Sequence, residues 1–342
     1  MTMVKKRRFL VLPLLLLGIA TFFGALRDAF AQTPSPEAAR KEGKVVIYGT
    51  AVPQIMSVIQ RGFEGKYGIK TEYWRADATK VIDRALMEWR AGRPGFDLVT
   101  GARGAMLLLK QEGVFAKYIP TTSDSFPGKF RDKDGELTAW RVTPVGVLYN
   151  TESIKPGAVP KSLDDLLDPT WQGKIGMPDP SQHASTAQFL WNLQRIKGEK
   201  WLDFVKALAR QKPHLVDSYS SVPTAIIRGE VLLGITYVQY VVQQKGPIGY
   251  MPLDKYLTDP SDLGLSAKAA NPNAGKLFAE YVCSPEAQKR VAATGEFVLS
   301  PGIYPPVKDA EKVAADMVFM DNPSEEQLKK LQDQFRQIFF GR

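Results

Sequence analysis

Four residues that could bind a small anion lie close together in the segment 181–186. They follow an apolar strand pattern at 175–177, and Pro178 ends that strand because proline has no N–H to donate to a sheet. An apolar helix pattern begins at Ala187. A helix N-terminus presents free backbone N–H groups and a partial positive charge, so this position favours an anion. The four residues are Ser181, His183, Ser185 and Thr186.

The same pattern is also typical of an ordinary turn between a strand and a helix. Ser185 or Thr186 is predicted to be the N-cap, where its hydroxyl would accept a hydrogen bond from a backbone N–H. In open α/β sheets, however, ligands bind beyond the carboxyl ends of the strands. The structural context of the segment therefore determines whether it is a ligand site or a capped turn.

Residues 1–31 are predicted to be a cleavable signal peptide. Four basic residues at 5–8 precede an apolar stretch at 9–26, and residues 29–31 read Ala-Phe-Ala, which is the small-x-small pattern of a cleavage site. The mature protein is therefore expected to begin at Gln32 and to be periplasmic.

The distribution of charge argues against nucleic-acid binding, and the single cysteine predicts a structural role for its thiol. Residues 1–31 hold five of the 45 basic and one of the 36 acidic residues, which leaves 40 and 35 in the mature chain. No cluster of Lys or Arg follows the signal segment in the sequence, so we expect no nucleic-acid partner. Cys283 is the only cysteine and ends an apolar helix pattern, which predicts a buried thiol.

Strand and helix patterns alternate along the mature chain, which predicts an α/β fold. The alternation forms two units, at 44–140 and at 145–250. The predicted strands lie at 44–48, 70–74, 96–100, 145–149, 175–177 and 231–236, and the clearest helices at 54–67, 79–90 and 199–210.

The order of several short motifs resembles the extracellular solute-binding proteins of ABC transporters, in the type 2 periplasmic-binding-protein superfamily. Residues 145–151, VGVLYNT, are similar to the family's hinge strand, and the pair LDDLLDP at 163–169 and WQGKI at 171–175 is similar to a second motif. Further matching segments are 43–48, 96–100, 227–230, 271–278 and 284–288. The chain is most similar in style to the group that binds ferric iron or small anions.

The resemblance implies an α/β protein of two lobes, each a mixed, mostly parallel sheet flanked by helices, joined by hinge strands. Lobe I would comprise residues 32–143 plus 252–300, and lobe II residues 144–251 plus 301–342. The hinge crossings are expected near 141–146, 249–253 and 300–301. Such a protein would be a monomer that closes on a ligand in the cleft between its lobes and delivers it to an ABC permease in the inner membrane.

The resemblance also places further candidate ligand-binding residues in the cleft. Lobe I would contribute Tyr48, Thr50, Asp77, Thr79 and Arg103. Lobe II would add Ser220, Ser221 and Tyr237 to the segment 181–186. Asp77 and Thr79 could equally be helix caps, and the two tyrosines could be ordinary aromatic residues at a sheet edge. Arg103 is the predicted cation that would hold an anionic ligand.

The ligand is predicted to be a small anion or an anionic metal chelate, with ferric iron as the alternative. Ferric-binding members of the family use tyrosine phenolates, commonly two adjacent ones, because Fe³⁺ favours anionic oxygen ligands. Tyr237 lies where that pair would begin, but Val238 follows it. Tyr240 could still face the same side of a helix and complete a metal site with Tyr237 and Tyr48. No resident cofactor is expected, and Fe³⁺ would be the transported ligand.

An exported hydrolase and a ligand-presenting sensory receptor are the remaining alternatives. Only His183 and His214 could serve a Ser-His-Asp triad, and the sequence has no Gly-x-Ser-x-Gly elbow and no clustered zinc motif. A pair of catalytic carboxylates would leave no local signature. We therefore predict a binding protein without enzymatic activity.

Overall fold

The structure, a computed structural model, describes residues 34–341, so the predicted signal peptide lies outside the described residues. Strands and helices alternate within this range, which confirms the α/β class. The strands are β1 (Lys44–Gly49), β2 (Lys70–Arg75), β3 (Leu98–Ala102), β4 (Thr138–Asn150), β5 (Ile175–Pro178), β6 (His214–Val216), β7 (Leu233–Tyr237), β8 (Ile248–Met251), β9 (Tyr256–Leu265), β10 (Phe297–Val298) and β11 (Met317–Phe319). The α-helices are α1 (Pro36–Glu42), α2 (Pro53–Tyr67), α3 (Ala78–Arg90), α4 (Arg103–Gln111), α5 (Ala184–Asn192), α6 (Gln194–Lys197), α7 (Trp201–Arg210), α8 (Val222–Ile227), α9 (Tyr240–Gln243), α10 (Pro272–Cys283), α11 (Pro285–Ala292), α12 (Ala310–Ala315) and α13 (Glu325–Phe340).

The sheet is mixed, and its order is β2-β1-β3-β9-β4-β7-β5-β6. The outer strands of each lobe are parallel: β1 pairs with β2 and β3, and β5 pairs with β6 and β7. Strands around the centre are antiparallel, since β4 pairs in that sense with β7, β8 and β9. The names lobe I and lobe II keep the residue ranges predicted from the sequence.

Strand β4 passes from one lobe into the other. Its first half pairs with β9 as far as Pro144, and its second half pairs with β7 from Val145 onward. The change of partner therefore falls within 141–146, where the sequence predicts a hinge. Gly146 lies just beyond the change, and a Cβ there would come 2.7 Å from the Val238 side chain, so the close approach of β4 to the chain after β7 requires glycine.

Strand β9 is the main element that the sequence patterns do not predict. Its central residues, 258–262, read Thr-Asp-Pro-Ser-Asp, which is typical of a turn. In the structure all ten residues of β9 are buried, with β4 on one side and β11 and β3 on the other. Tertiary packing thus places two carboxylates, Asp259 and Asp262, in the centre of the molecule.

The helices pack as their apolar patterns predict. Helix α2 buries Ile55, Ile59 and Phe63 and ends at Gly68, which has a φ of 69°. The C-terminal helix α13 packs against α5 and α7, with Phe335 fully buried. The Cys283 thiol is buried, as predicted. Between residues 34 and 341 no helix combines the length and the apolar character that a membrane span requires.

Candidate ligand-binding site between the lobes

A cavity of about 260 Å³ lies between the two lobes. Helices α3 and α4 line it from lobe I, and α5 and the start of α13 line it from lobe II. Asp259 of β9 lines it as well. Pockets for drug-sized ligands measure roughly 300–1,000 Å³, so this volume favours a smaller solute. The lining residues used below are Ala78, Thr79, Ala102, Ala105, Ala184, Ser185, Asp259 and Glu325.

Helices α3 and α4 both begin at this cavity without a side-chain cap. Asp77 holds the N-cap position of α3, but its carboxylate accepts no hydrogen bond from the first turn. Ala102 holds the same position in α4 and has no group that could cap it. The first N–H groups of a helix have no partner within the helix, and no N-cap side chain accepts from them in these two helices, so within residues 34–341 they can donate to a ligand or to water. Thr79 lies in the first turn of α3 and lines the cavity.

Helix α5 presents its N-terminus from the opposite lobe. Its N-cap is His183, whose Nδ1 accepts a hydrogen bond of 3.3 Å from the Thr186 N–H and lies 2.9 Å from the Thr186 hydroxyl. The predicted N-caps, Ser185 and Thr186, are therefore wrong, because the imidazole reaches the first turn from an earlier position. Burial lowers the pKa of His183, which keeps Nδ1 available as an acceptor. Ser185 lines the cavity instead.

Asp259 is the cavity residue that sequence reasoning missed. Its side chain is 9% exposed, and within residues 34–341 its Oδ1 is buried with no hydrogen-bond partner. Burial and the nearby Asp262 carboxylate raise the pKa of Asp259 to about 7, against the opposing effect of Arg103. A buried acceptor without a partner costs about 1–3 kcal/mol. A group that donated a hydrogen bond to this oxygen would recover that cost.

Arg103 is held by the protein itself. Its Nε and Nη2 donate to the two carboxylate oxygens of Asp262, each at 2.8 Å, and Nη2 also donates to the Phe130 carbonyl at 3.0 Å. The Asp262 side chain is fully buried, and that of Arg103 is 17% exposed. The guanidinium charge is thus matched by a buried carboxylate and anchors the start of α4 to β9.

Four aromatic side chains form a row beside the start of α5. The ring centroids of His183 and Tyr219 are 5.2 Å apart, those of Tyr219 and Tyr237 are 4.5 Å apart, and those of Tyr237 and Tyr240 are 5.8 Å apart. Burial raises the pKa of Tyr219 and Tyr237, and raises that of Tyr240 to about 12. Asp259 adds to the rise in the pKa of Tyr237, so the third ring of the row lies near the cavity carboxylate. The phenols are therefore protonated at neutral pH.

Other predicted site residues lie apart from the cavity. The Tyr48 hydroxyl donates to Glu88 at 3.2 Å, and its ring packs on Trp74 and Phe96, so the side chain is only 3% exposed. Thr50 follows β1 and donates its backbone N–H to the Thr100 carbonyl at 3.3 Å.

The predicted serines of lobe II also have partners within the protein. Ser181 is buried and donates its N–H to Asp179 at 2.8 Å. The hydroxyls of Ser220 and Ser221 lie 2.9 and 3.0 Å from that of Ser218, at the start of α8. Of the predicted residues, Thr79 and Ser185 are thus the pair that the fold brings to one cavity from opposite lobes.

The candidate metal site offers phenols rather than a carboxylate and imidazole cluster. Across the described part of the chain, no group of three or more His, Cys, Asp or Glu side chains is placed to hold a metal ion. Tyr237 and Tyr240 lie side by side, but each would have to lose a proton before it could bind Fe³⁺ as an anion.

Comparison with known proteins agrees with this architecture. The family described as bacterial extracellular solute-binding protein matches residues 93–322, which is more than half of the chain. The chain belongs to this family. Its role is therefore to bind a solute.

Individual relatives are distant in sequence. An uncharacterized protein of Haemophilus influenzae is 24% identical over 272 residues, which cover 75% of this chain and 78% of the relative. Iron-bound HitA from Pseudomonas aeruginosa has a TM-score of 0.72 at 17% identity, covering 85% of this chain and 99% of HitA. The periplasmic binding protein AfuA from Actinobacillus pleuropneumoniae, solved with fructose-6-phosphate, has a TM-score of 0.67 at 21% identity, covering 87% and 96%. These similarities confirm the two-lobed α/β fold of periplasmic binding proteins.

Proposed function

We propose that this chain is the periplasmic substrate-binding component of an ABC importer and that it closes on a small, oxyanion-bearing solute. The observation that carries the proposal is the convergence of helix N-termini from both lobes on one cavity. Helices α3 and α4 of lobe I begin at the cavity without side-chain caps, and α5 of lobe II begins there from the opposite side. An oxyanion would accept hydrogen bonds from these first turns and is favoured by their partial positive charges. A ligand that contacts both lobes stabilises the closed form.

Ferric iron is the second candidate, and the row of tyrosines beside the cavity favours it. Iron-bound HitA is one of the proteins with a similar fold. The buried, protonated phenols of Tyr219, Tyr237 and Tyr240 argue for the oxyanion, because a bare ferric site would first have to remove their protons. We therefore rank a small anion or an anionic chelate first.

The other parts of the proposal follow from the family and the site. The protein would bind its solute without chemical change, need no resident cofactor, act as a monomer and present the solute to a membrane permease. The change of partner along β4, from β9 to β7 at the position where a hinge is predicted, supports this cycle of capture and release.

A charge placed at the start of α5 tests the oxyanion site. Ser185→Asp is expected to weaken binding of inorganic phosphate, a phosphonate or acetate, whichever stabilises the wild type in a thermal-shift screen, by about tenfold or more. The added carboxylate would repel an anion in the cavity, yet an acidic residue in the first turn favours the helix itself. Isothermal titration calorimetry measures the loss, and Ser185→Asn is the matched uncharged control. Equal binding by both variants would contradict an oxyanion at α5, and stabilisation of the wild type by Fe³⁺ alone would favour the ferric candidate.

Closure is a separate expected result. Small-angle scattering of the wild type should give a smaller radius of gyration with the stabilising anion than without it, because the ligand bridges the lobes. An unchanged scattering curve at saturating ligand would contradict hinge closure.

Export is tested by the mass of the mature protein. Material recovered from the periplasm is expected to begin at Gln32, since cleavage after Ala31 fits the small-x-small pattern. Intact mass spectrometry that finds residues 1–31 retained would contradict a cleavable signal.

A further inference from the structure

We propose that the solute is a small zwitterion, whose oxyanion lies at the helix starts and whose ammonium group binds the carboxylate of Asp259. This inference rests on the proposed function and names the substrate class of the same site. It is carried by the contrast between the positive helix ends and the negative side chains that line one cavity.

The position of Asp259 provides the first argument. The residue lies on the central strand β9, where Thr143 of β4 faces it, and its side chain lines the cavity between the lobes. Its Oδ1 is buried and, within residues 34–341, has no protein partner. Nearly all buried polar atoms in folded proteins are hydrogen-bonded. An unpaired carboxylate oxygen at a cavity can therefore accept a hydrogen bond from a bound ligand. An ammonium group has three donors and no acceptor, which suits this oxygen.

The charges around Asp259 provide the second argument. Arg103 of α4 is the nearby cation, and both of its carboxylate contacts go to Asp262. On β4, Arg141 is paired with Glu296 at 2.6 Å. Tyr237 of β7 adds a protonated phenol. Arg103 and Arg141 are thus paired with other carboxylates, and within residues 34–341 no basic side chain pairs with Asp259.

The lining of the cavity provides the third argument. Its charged side chains are Asp259 and Glu325, and neither Lys nor Arg lines it among the described residues. A solute that carried only negative charge would face two carboxylates across a small space, which is unfavourable. A zwitterion satisfies the helix N-termini with one end and Asp259 with the other. A volume of about 260 Å³ has room for a compact molecule of this kind, since one water occupies about 30 Å³ of the liquid.

Proton release should accompany binding. Burial raises the pKa of Asp259 to about 7, so near neutral pH a large part of the protein carries a protonated carboxyl at this position. An ammonium group beside it favours the charged form, which lowers its pKa and releases the proton. A purely anionic ligand would favour the protonated form and take up a proton. The direction of proton transfer therefore distinguishes the two ligand classes.

Matched pairs of probes test the inference. Each pair differs by an ammonium group in place of a methyl group: phosphoethanolamine with propyl phosphate, 4-aminobutyrate with pentanoate, and β-alanine with butyrate. In at least one pair, the wild type is expected to bind the amine about tenfold or more tightly than its methyl partner. Calorimetry at pH 7 in buffers of different ionisation enthalpy should show proton release with the amine.

Asp259→Asn should abolish both the preference and the proton release. Asp254→Asn is the control for net charge, because Asp254 is exposed on the loop before β9. This control should behave like the wild type.

The outcomes separate this inference from the proposed function. If the methyl partners bind as well as or better than the amines, the zwitterion is wrong while the oxyanion site stands. If neither member of any pair binds, the zwitterion is also overturned, and the Ser185→Asp comparison with simple anions decides the proposed function alone. A preference for the amine that survives in Asp259→Asn would overturn the assignment of the ammonium group to this carboxylate.

Discussion

Arg103→Ala is expected to lower the free energy of unfolding by about 3–5 kcal/mol, because it leaves the buried Asp262 carboxylate without its partner. The two side chains make two hydrogen bonds of 2.8 Å, and the Asp262 side chain has no exposure to solvent. The loss would therefore be seen in the ligand-free protein. Urea denaturation at pH 7 measures it.

A double variant provides the control for this prediction. Arg103→Met combined with Asp262→Leu removes both charges and keeps similar volumes, so it should recover most of the stability that Arg103→Ala loses. The opposite result would support the prediction made from the sequence, in which Arg103 binds an anionic ligand. If Arg103→Ala keeps its stability within about 1 kcal/mol but no longer binds the anion, Arg103 contacts the ligand.

Asp259→Asn is expected to raise the free energy of unfolding of the ligand-free protein, relative to the wild type, by more at pH 8 than at pH 5. The difference between the two pH values should be about 2–3 kcal/mol. Burial raises the pKa of Asp259 from 3.8 to about 7. As the pH rises above 4, the unfolded chain loses this proton while the folded chain keeps it, so the wild type loses stability until about pH 7. The asparagine has no proton to lose and avoids this cost.

Urea denaturation of the wild type and the variant at both pH values tests whether the stabilisation by Asp259→Asn is larger at pH 8 than at pH 5. Any cost of burying the amide would be the same at pH 5 and pH 8, so the difference between them reports the carboxyl group alone. Asp254→Asn should show no such difference, because its side chain is exposed. An Asp259→Asn variant that is less stable at pH 8 than at pH 5, relative to the wild type, would show that Asp259 is ionised and paired in the folded protein.

The two carboxylates of β9 have different roles for a physical reason. Asp262 has a fork-shaped partner in Arg103 and helps to fix α4 to the sheet. Asp259 has no such partner within the described residues and lines the cavity, so its burial lowers stability in the absence of ligand. Loss of stability at a binding site is a common consequence of selection for function.

The amino-acid sequence by itself determined the elements whose pattern is local. The helices α2 and α3, the strands β1 and β5 and the buried Cys283 follow from apolar periodicity, because each pattern repeats within a few residues. The same local reading correctly found that α5 begins after a strand end. It chose the wrong N-cap, because a histidine at this position is an uncommon cap and serine and threonine were present nearby.

The tertiary structure alone decided which side chains meet. Arg103 and Asp262 are 159 residues apart in the chain, and local patterns carry no information about pairs at that separation. The segment 258–262 has the composition of a turn, yet it becomes a buried strand because β4 pairs with it along one side, while β11 and β3 pair with its two ends on the other side. That packing turned Asp259 into a cavity residue and Arg103 into a structural one. Local patterns in the sequence determined that a helix begins after β5, whereas only long-range packing determined that Asp259 lines the cavity and that Arg103 is paired with Asp262.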